Sequence, residues 1–394
     1  MATGREAPAK PGAMNAKQAC PCDILHVLPS FDLPMIQRIV SQAAWVLFAL
    51  ALLVSLPSAP EAAVVEGLYV TQVEVADDGR QARERAYRRA LREVLVRVTG
   101  DSAIMERPAA ATILDQASRA VQQFSYVDVE DGEGSADEEQ KALRVRFDAR
   151  LIQRLVKQNG LPFWGSQRPA VLAWVAVDDG SRRYLVGEQT DAGDTVARWL
   201  FDAADQRGIP VLLPLMDLQD QRTIRFADVW GGFDDVVRQA SQRYGEELLA
   251  TLRLGREGGR WTARWRLSAD SPATGRVRGA SGEAAMSAAM DEMADVLGGM
   301  FAVTATPGDG RFVEIVVHGI RGVDALAETT RYLESLDLVT DLVPLGVQGE
   351  EIRFRLTTVG SREQLERTLR LADHLRPRDG EPEPSPQILH YTYQ

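Results

Sequence analysis

The side chains best able to do chemistry in this chain are carboxylates and guanidiniums. Asp178 and Asp179 form a D-D-G with Gly180 at the end of an apolar run, and Asp217 follows the next apolar run. Open αβ sheets bind ligands beyond the C-terminal ends of parallel strands. Placed there, Asp178, Asp179 and Asp217 could hold a hard cation through oxygen ligands, or act as an acid and base pair. The same D-D-G is also ordinary turn chemistry, because Asp accepts from nearby backbone N–H groups and Gly takes positive φ.

Arginine makes the second constellation. Between Arg80 and Arg97 there are seven Arg against two Glu, in a chain whose net charge is −11. Arg83, Arg85, Arg88, Arg89 and Arg92 could present guanidiniums to phosphate or carboxylate groups of an acidic partner or a lipid surface. The simpler alternative is a solvated face balanced by the seven acids between Asp128 and Glu139. A third candidate is an aromatic groove for glycan or peptide at Trp230 and Phe233, on either side of Gly231-Gly232. Met286, Met290, Met293 and Met300 recur at helical spacing, which suits core packing better than copper binding.

Other chemistries lack their residues. Past residue 62 the only histidines are His318, His374 and His390, and Cys20 and Cys22 are the only cysteines. No G-x-S-x-G, Walker or G-x-G-x-x-G pattern accompanies a strand. No cofactor or metal is therefore expected, and the balance tilts away from an enzyme without excluding one.

The elements that would position these groups begin with an apolar run of 14 residues, Ala43 to Leu56, just after Met35 and Arg38. It is shorter than the roughly 20 residues of a membrane-spanning helix and fits a signal-peptide h-region. Residues 1–34 read as a disordered or misannotated extension, and residues 35–62 as a signal peptide cleaved near Ala62 or as an N-terminal anchor. Either way the remainder is exported to the periplasm. Residues 1–62 contain four basic and four acidic side chains, so the acidity belongs to the exported body. Nucleic-acid binding is not expected of such a body.

Pattern divides that body into three αβ modules, an α/β and α+β fold class. Residues 63–160 read β-α-α-β-β-α: an alternating strand from Val64, a long helix stopped by Gly100, a second helix from Pro108 to about Gln123, strands at Phe124–Glu130 and Ala142–Phe147, and a helix to Gln158. Residues 161–305 start with the boundary L-P-F-W-G and Arg168-Pro169. They continue with a parallel strand–helix–strand unit (170–177, 194–206, 211–215), a helix from Phe233, a hairpin at 248–267 and a helix at 283–300. Residues 306–376 read β-α-β-β-α, ferredoxin-like without the last strand. The Pro- and Glu-rich residues 377–394 read as a disordered tail.

The segments E-G-L-Y-V-T-Q-V-E-V (Glu66–Val75), L-V-R-V-T-G (Leu95–Gly100), L-P-F-W-G (Leu161–Gly165) and G-R-W-T-A-R-W (Gly259–Trp265) resemble an uncharacterised bacterial family, domain of unknown function 2066. The resemblance implies a Gram-negative envelope protein and brings no activity with it. The expectation is a periplasmic protein working by protein–protein contact in envelope assembly or maintenance, with a protein partner. An exported enzyme or ligand-binding protein using Asp178, Asp179 and Asp217 is the alternative, and peripheral membrane association through the Arg-rich helix is a third.

Overall fold

A computed structural model describes residues 63–65, 67–128, 141–188, 193–245, 248–269, 272–304, 311–370, 374–378 and 388–394. The signal-like run and most of the acidic loop lie outside the described residues. The first module hangs on one helix. In α1 (Arg80–Thr99), Ala82, Ala86, Ala90, Val94 and Val98 repeat every four residues and are all buried. All but Ala82 share a core with Val73, Leu143 and Val145, which belong to β2 (Val70–Val75) and β4 (Lys141–Phe147). With β3 (Val121–Asp128) these form an antiparallel sheet in the order β2-β4-β3. Gly100, at φ +66°, ends α1. Two short helices, α2 (Pro108–Leu114) and α3 (Ala117–Ala120), stand where one helix to Gln123 is expected. Gln116 leaves helical geometry, and the β-branched and aromatic run from Val121 takes the strand instead. Asp148 caps α4 (Ala149–Gln158) through the N–H groups of Arg150 and Leu151.

In the second module β7 (Val171–Asp178) is the central strand, buried along almost its whole length. Helices cover both of its faces, so it reads as a continuous apolar run rather than an alternation. Val171, Ala173, Val175 and Val177 pack with α5 (Asp194–Arg207) and α9 (Gly282–Phe301), including Met286, Met290 and Met293. Leu172, Trp174 and Ala176 share a core with Ile224, which follows the short helix α6 (Leu218–Thr223), and with residues of the short helices α7 (Phe226–Gly231) and α8 (Asp234–Ser241). The sheet order is β12-β11-β10-β7-β8, with β9 (Val211–Leu212) also on β7. β10 (Leu248–Glu257) and β9 run parallel to β7. β8 (Arg183–Val186), β11 (Arg260–Ser268) and β12 (Ala273–Gly279) pair antiparallel with their neighbours. The parallel run after α5 is paired over two residues only, and β8 and β12 are additions to the expected order.

The third module departs from expectation at its end. Its elements are β14 (Arg311–His318), α10 (Val323–Ser335), β15 (Val339–Gln348), β16 (Glu351–Thr358), α11 (Arg362–Arg370), β17 (Leu375–Pro377) and β18 (Ile388–Tyr393). The order β15-β16-β14-β18-β17 is ferredoxin-like with β18 inserted, parallel to β14, between the first strand and a three-residue last strand. Reading residues 377–394 as a disordered tail is thereby corrected at its end. I-L-H-Y-T-Y alternates, and Leu389 and Tyr391 are buried in the module's core. The Pro- and Glu-rich composition that suggested disorder stops at Pro386.

A short ladder ties the first module to the second, where β1 (Ala63–Val64) pairs with β6 (Gln167–Arg168). Within the second, β5 (Pro162–Phe163) pairs with β13 (Val303–Thr304). Trp164 stacks on Phe301 with centroids 6.1 Å apart. The described residues all lie in one compact unit, Ala59–Gln394.

Candidate functional site

The three aspartates occupy two places. Asp178 and Asp179 sit in the β7–β8 turn. Asp178 accepts from Arg183 Nε at 2.8 Å and from the Gly180 N–H at 3.1 Å. Asp179 Oδ1 accepts from the N–H groups of Ser181 and Arg182, each at 2.8 Å, and from the Ser181 hydroxyl at 2.6 Å. The Ser181 hydroxyl, followed by those two N–H groups, lowers its pKa to about 2. Asp217 instead caps α6 through the N–H groups of Gln219 and Asp220, and receives a two-pronged bond from Arg243 at 2.7 and 2.9 Å. Those Arg243 bonds hold the Asp217 carboxyl well below the usual carboxylate range. Asp220, buried beside it, accepts from Arg243, from the Tyr244 hydroxyl and from the Met216 N–H. Of the three aspartates the structure brings Asp178 and Asp179 together and leaves Asp217 apart, beside Asp220 and Arg243. Among the described residues no cluster of three or more His, Cys, Asp or Glu could hold a metal ion.

The arginines of α1 are mostly occupied locally. Arg80 pairs with Glu84, Arg88 with Asp115, Arg89 donates to the Glu74 carbonyl, and Arg85 to the Gln81 carbonyl. The Arg83 guanidinium lies 5.4 Å from the Phe124 ring centroid. Arg92 lines a cavity. Trp230 and Phe233 part company: Trp230 stacks on Phe226 and lines a small pocket, whereas the exposed Phe233 covers Gly231.

A cleft of about 960 Å³ lies between the first and second modules. Its walls are Gly67, Leu68 and Val70–Gln72 with Arg144 on one side and Asp205–Pro210 on the other, with Arg92, Glu93 and Arg97 from α1 between them. Behind it three arginines pin the modules. Arg168 is wholly buried and spends all five donors on main-chain carbonyls. Nε donates to Gly165 at 2.8 Å, Nη1 to Arg207 and Gly208 at 2.8 and 3.0 Å, and Nη2 to Arg97 and Trp164 at 2.7 and 2.9 Å. The Arg97 and Arg207 carbonyls belong to the last turns of α1 and α5, where the helix dipoles leave partial negative charge. A cation is favoured at that junction. Burial, and next the neighbouring Arg97 cation, push Arg168 down to about 9, which still leaves it charged at neutral pH.

Arg97 extends the clamp by donating to the carbonyls of Gln206, Gly67, Leu68 and Val70. Arg207 pairs with Asp291 at 2.9 Å and Asp295 at 2.5 Å, and Asp295 also accepts from the Ser102 hydroxyl across the modules. The acids of the cleft therefore have partners: Glu93 accepts from Thr71, Asp291 from Arg207, and Asp205 lies near enough to Arg97 to favour its charge. Arg92 and Arg144 are exposed and have no ion-pair partner among the described residues.

Arg144, Arg168 and Arg207 do not stand out in the sequence. The available signal is an arginine inside an otherwise apolar helical face, as Arg97 is in L-V-R-V. His318 and His390 also meet unannounced: their rings stack at 5.5 Å, and Glu351 lies 2.9 Å from His318 Nδ1.

No curated protein and no solved structure matches the chain. A family model described as a domain of unknown function (DUF8605) matches residues 62–165, the first module, so an uncharacterised domain stands there under a different family from the one the sequence resembles.

Proposed function

We propose that this chain is an exported, non-catalytic binding protein of a bacterial envelope, and that its inter-module cleft holds an acidic segment of a partner protein. One observation carries the reading: a 960 Å³ cleft with two uncommitted guanidiniums at its mouth, Arg92 and Arg144, and its acids already engaged. That volume is at the upper end of the roughly 300–1,000 Å³ of ligand pockets. The buried Arg168 clamp keeps both walls in place, so little ordering cost falls on binding. Export rests on the apolar run Ala43–Leu56, and the envelope rests on the resemblance to domain of unknown function 2066. The aspartates support binding over catalysis, since Asp179 and Asp217 are held ionised by their own neighbours.

Two experiments test this. Alkaline phosphatase fused to the C-terminus is active if the body is exported and inactive if it stays in the cytosol. Affinity capture of the tagged full chain from its host retains a partner that an Arg92→Glu/Arg144→Glu variant loses. Both positions are exposed, so the fold tolerates the change to within about 0.5 kcal/mol. Equal capture by both proteins contradicts the cleft as the docking site.

A further inference from the structure

A second site is built on the opposite face of the second module's sheet. Alternation on β11 sends Trp261, Ala263, Trp265 and Leu267 toward α9, and sends Thr262, Arg264 and Arg266 the other way. Register places Arg253 of β10 opposite Arg264, and Arg276 of β12 on its far side. At the C-terminal edge of the parallel pair β7–β10, where Gly255 faces Asp178, this face encloses a pocket of about 260 Å³. Its lining includes Trp230, Arg253, Arg256, Thr262 and Arg264.

The charges around it do not cancel. Asp178 is matched by Arg183, and Glu257 is shared by Arg264 and Arg276. Arg256 lies over Trp261, so its guanidinium is on the α9 face of the sheet, away from Arg253 and Thr262. Arg253 is half-buried and has no hydrogen-bond or ion-pair partner there at all. Burial, then the Arg266 and Arg264 cations, lower its pKa. In the same wall the Thr262 hydroxyl is buried, its residue 2% exposed, with no partner. A half-buried cation among cations and an unpaired buried hydroxyl each carry a cost that a bound anion relieves.

Two glycines shape the space. A Cβ on Gly232 would collide with Arg253 Nη2, and one on Gly255 would come within 2.9 Å of the Trp230 ring. The W-G-G turn thus seats both the guanidinium and the indole. Arg253 has the Arg264 and Arg266 cations beside it, a setting that suits a dianion better than a carboxylate, and a phosphomonoester carries about −1.5 to −2 at neutral pH. Guanidinium forks fit phosphate oxygens in a bidentate manner. The indole supplies a flat apolar wall for a ring.

We propose that this pocket binds a small phosphomonoester that carries a ring, the phosphate on Arg253 and the Thr262 hydroxyl and the ring against Trp230. The site is separate from the cleft and does not rest on the partner proposed there.

Calorimetric titration of the full chain with phenyl phosphate, inorganic phosphate and benzoate tests it. Phenyl phosphate binds on the order of tenfold more tightly than either of the others, because only it offers both groups. Arg253→Gln weakens phenyl phosphate and inorganic phosphate alike, by about tenfold or more. Trp230→Leu brings phenyl phosphate down to the level of inorganic phosphate and leaves the latter unchanged. Should Arg253→Gln fail to fold, the near-isosteric Thr262→Val carries the same test with a smaller loss. No binding of phenyl phosphate at millimolar concentration, or binding untouched by these substitutions, overturns the proposal.

Discussion

At the scale of single residues, buried arginine decides more than exposed aspartate. Arg168 satisfies five carbonyls that would otherwise be sealed from water at the junction of two modules. Lysine keeps the charge but has three donors and no planar fork. Arg168→Lys should therefore cost about 2–4 kcal/mol in denaturant unfolding, since each orphaned buried acceptor is worth roughly 1–3 kcal/mol. A loss under about 0.5 kcal/mol would refute the clamp. Asp179 gives a pH signature. Its folded pKa of about 2 lies below the roughly 3.9 of an unfolded Asp. The stability it contributes is thus complete above about pH 5 and drains away as pH falls through 4 toward 2. Asp179→Asn should flatten that part of the unfolding profile, and an unchanged slope would count against the turn network.

At the scale of elements, close backbone contact and edge pairing set what can change. The C-terminal end of α1 meets α9 where Gly100 touches Gly298, and a Cβ on Gly298 would run into the Gly100 carbonyl. Gly298→Ala should destabilise by about 1–3 kcal/mol through overpacking, read as a lowered melting temperature beside a neutral Gly299→Ala control, whose Cβ meets open space. Deleting residues 388–394 removes β18 and with it two buried side chains, Leu389 and Tyr391. At roughly 1.5–3 kcal/mol each, their loss should open the third module to proteolysis while Arg168 still holds the first two. A protease-resistant third module would show that β18 is dispensable.

The long elements were legible in the sequence because each buries one regular face: α1 through its four-residue apolar repeat, β11 through its alternating tryptophans. The ones that escaped lack such a face. In β12, A-T-G-R-V-R-G, glycines and arginines leave Val277 as the only large apolar residue. β8 is four residues with an exposed start. β18 follows a stretch whose composition masks the alternation after it.

At the scale of the whole molecule, the cleft exists because segments far apart in sequence converge. Gly67, Thr71, Arg92, Arg97, Arg144, Asp205–Pro210 and Asp291 share its lining, and no local pattern announces that they meet. The aspartates and the Arg-rich helix were visible as residue types, whereas which charges are already neutralised depends on tertiary partners such as Arg243 for Asp217 and Asp115 for Arg88. By the same criterion Arg92 and Arg144 are the exposed arginines of the cleft with no ion-pair partner among the described residues. A photo-activated crosslinking residue at Gln72, inside the cleft, measures partner docking there most directly in living cells. The account predicts a protein adduct in the exported fraction that disappears in the Arg92→Glu/Arg144→Glu background. An absent adduct, or one that survives the charge reversal, would contradict it.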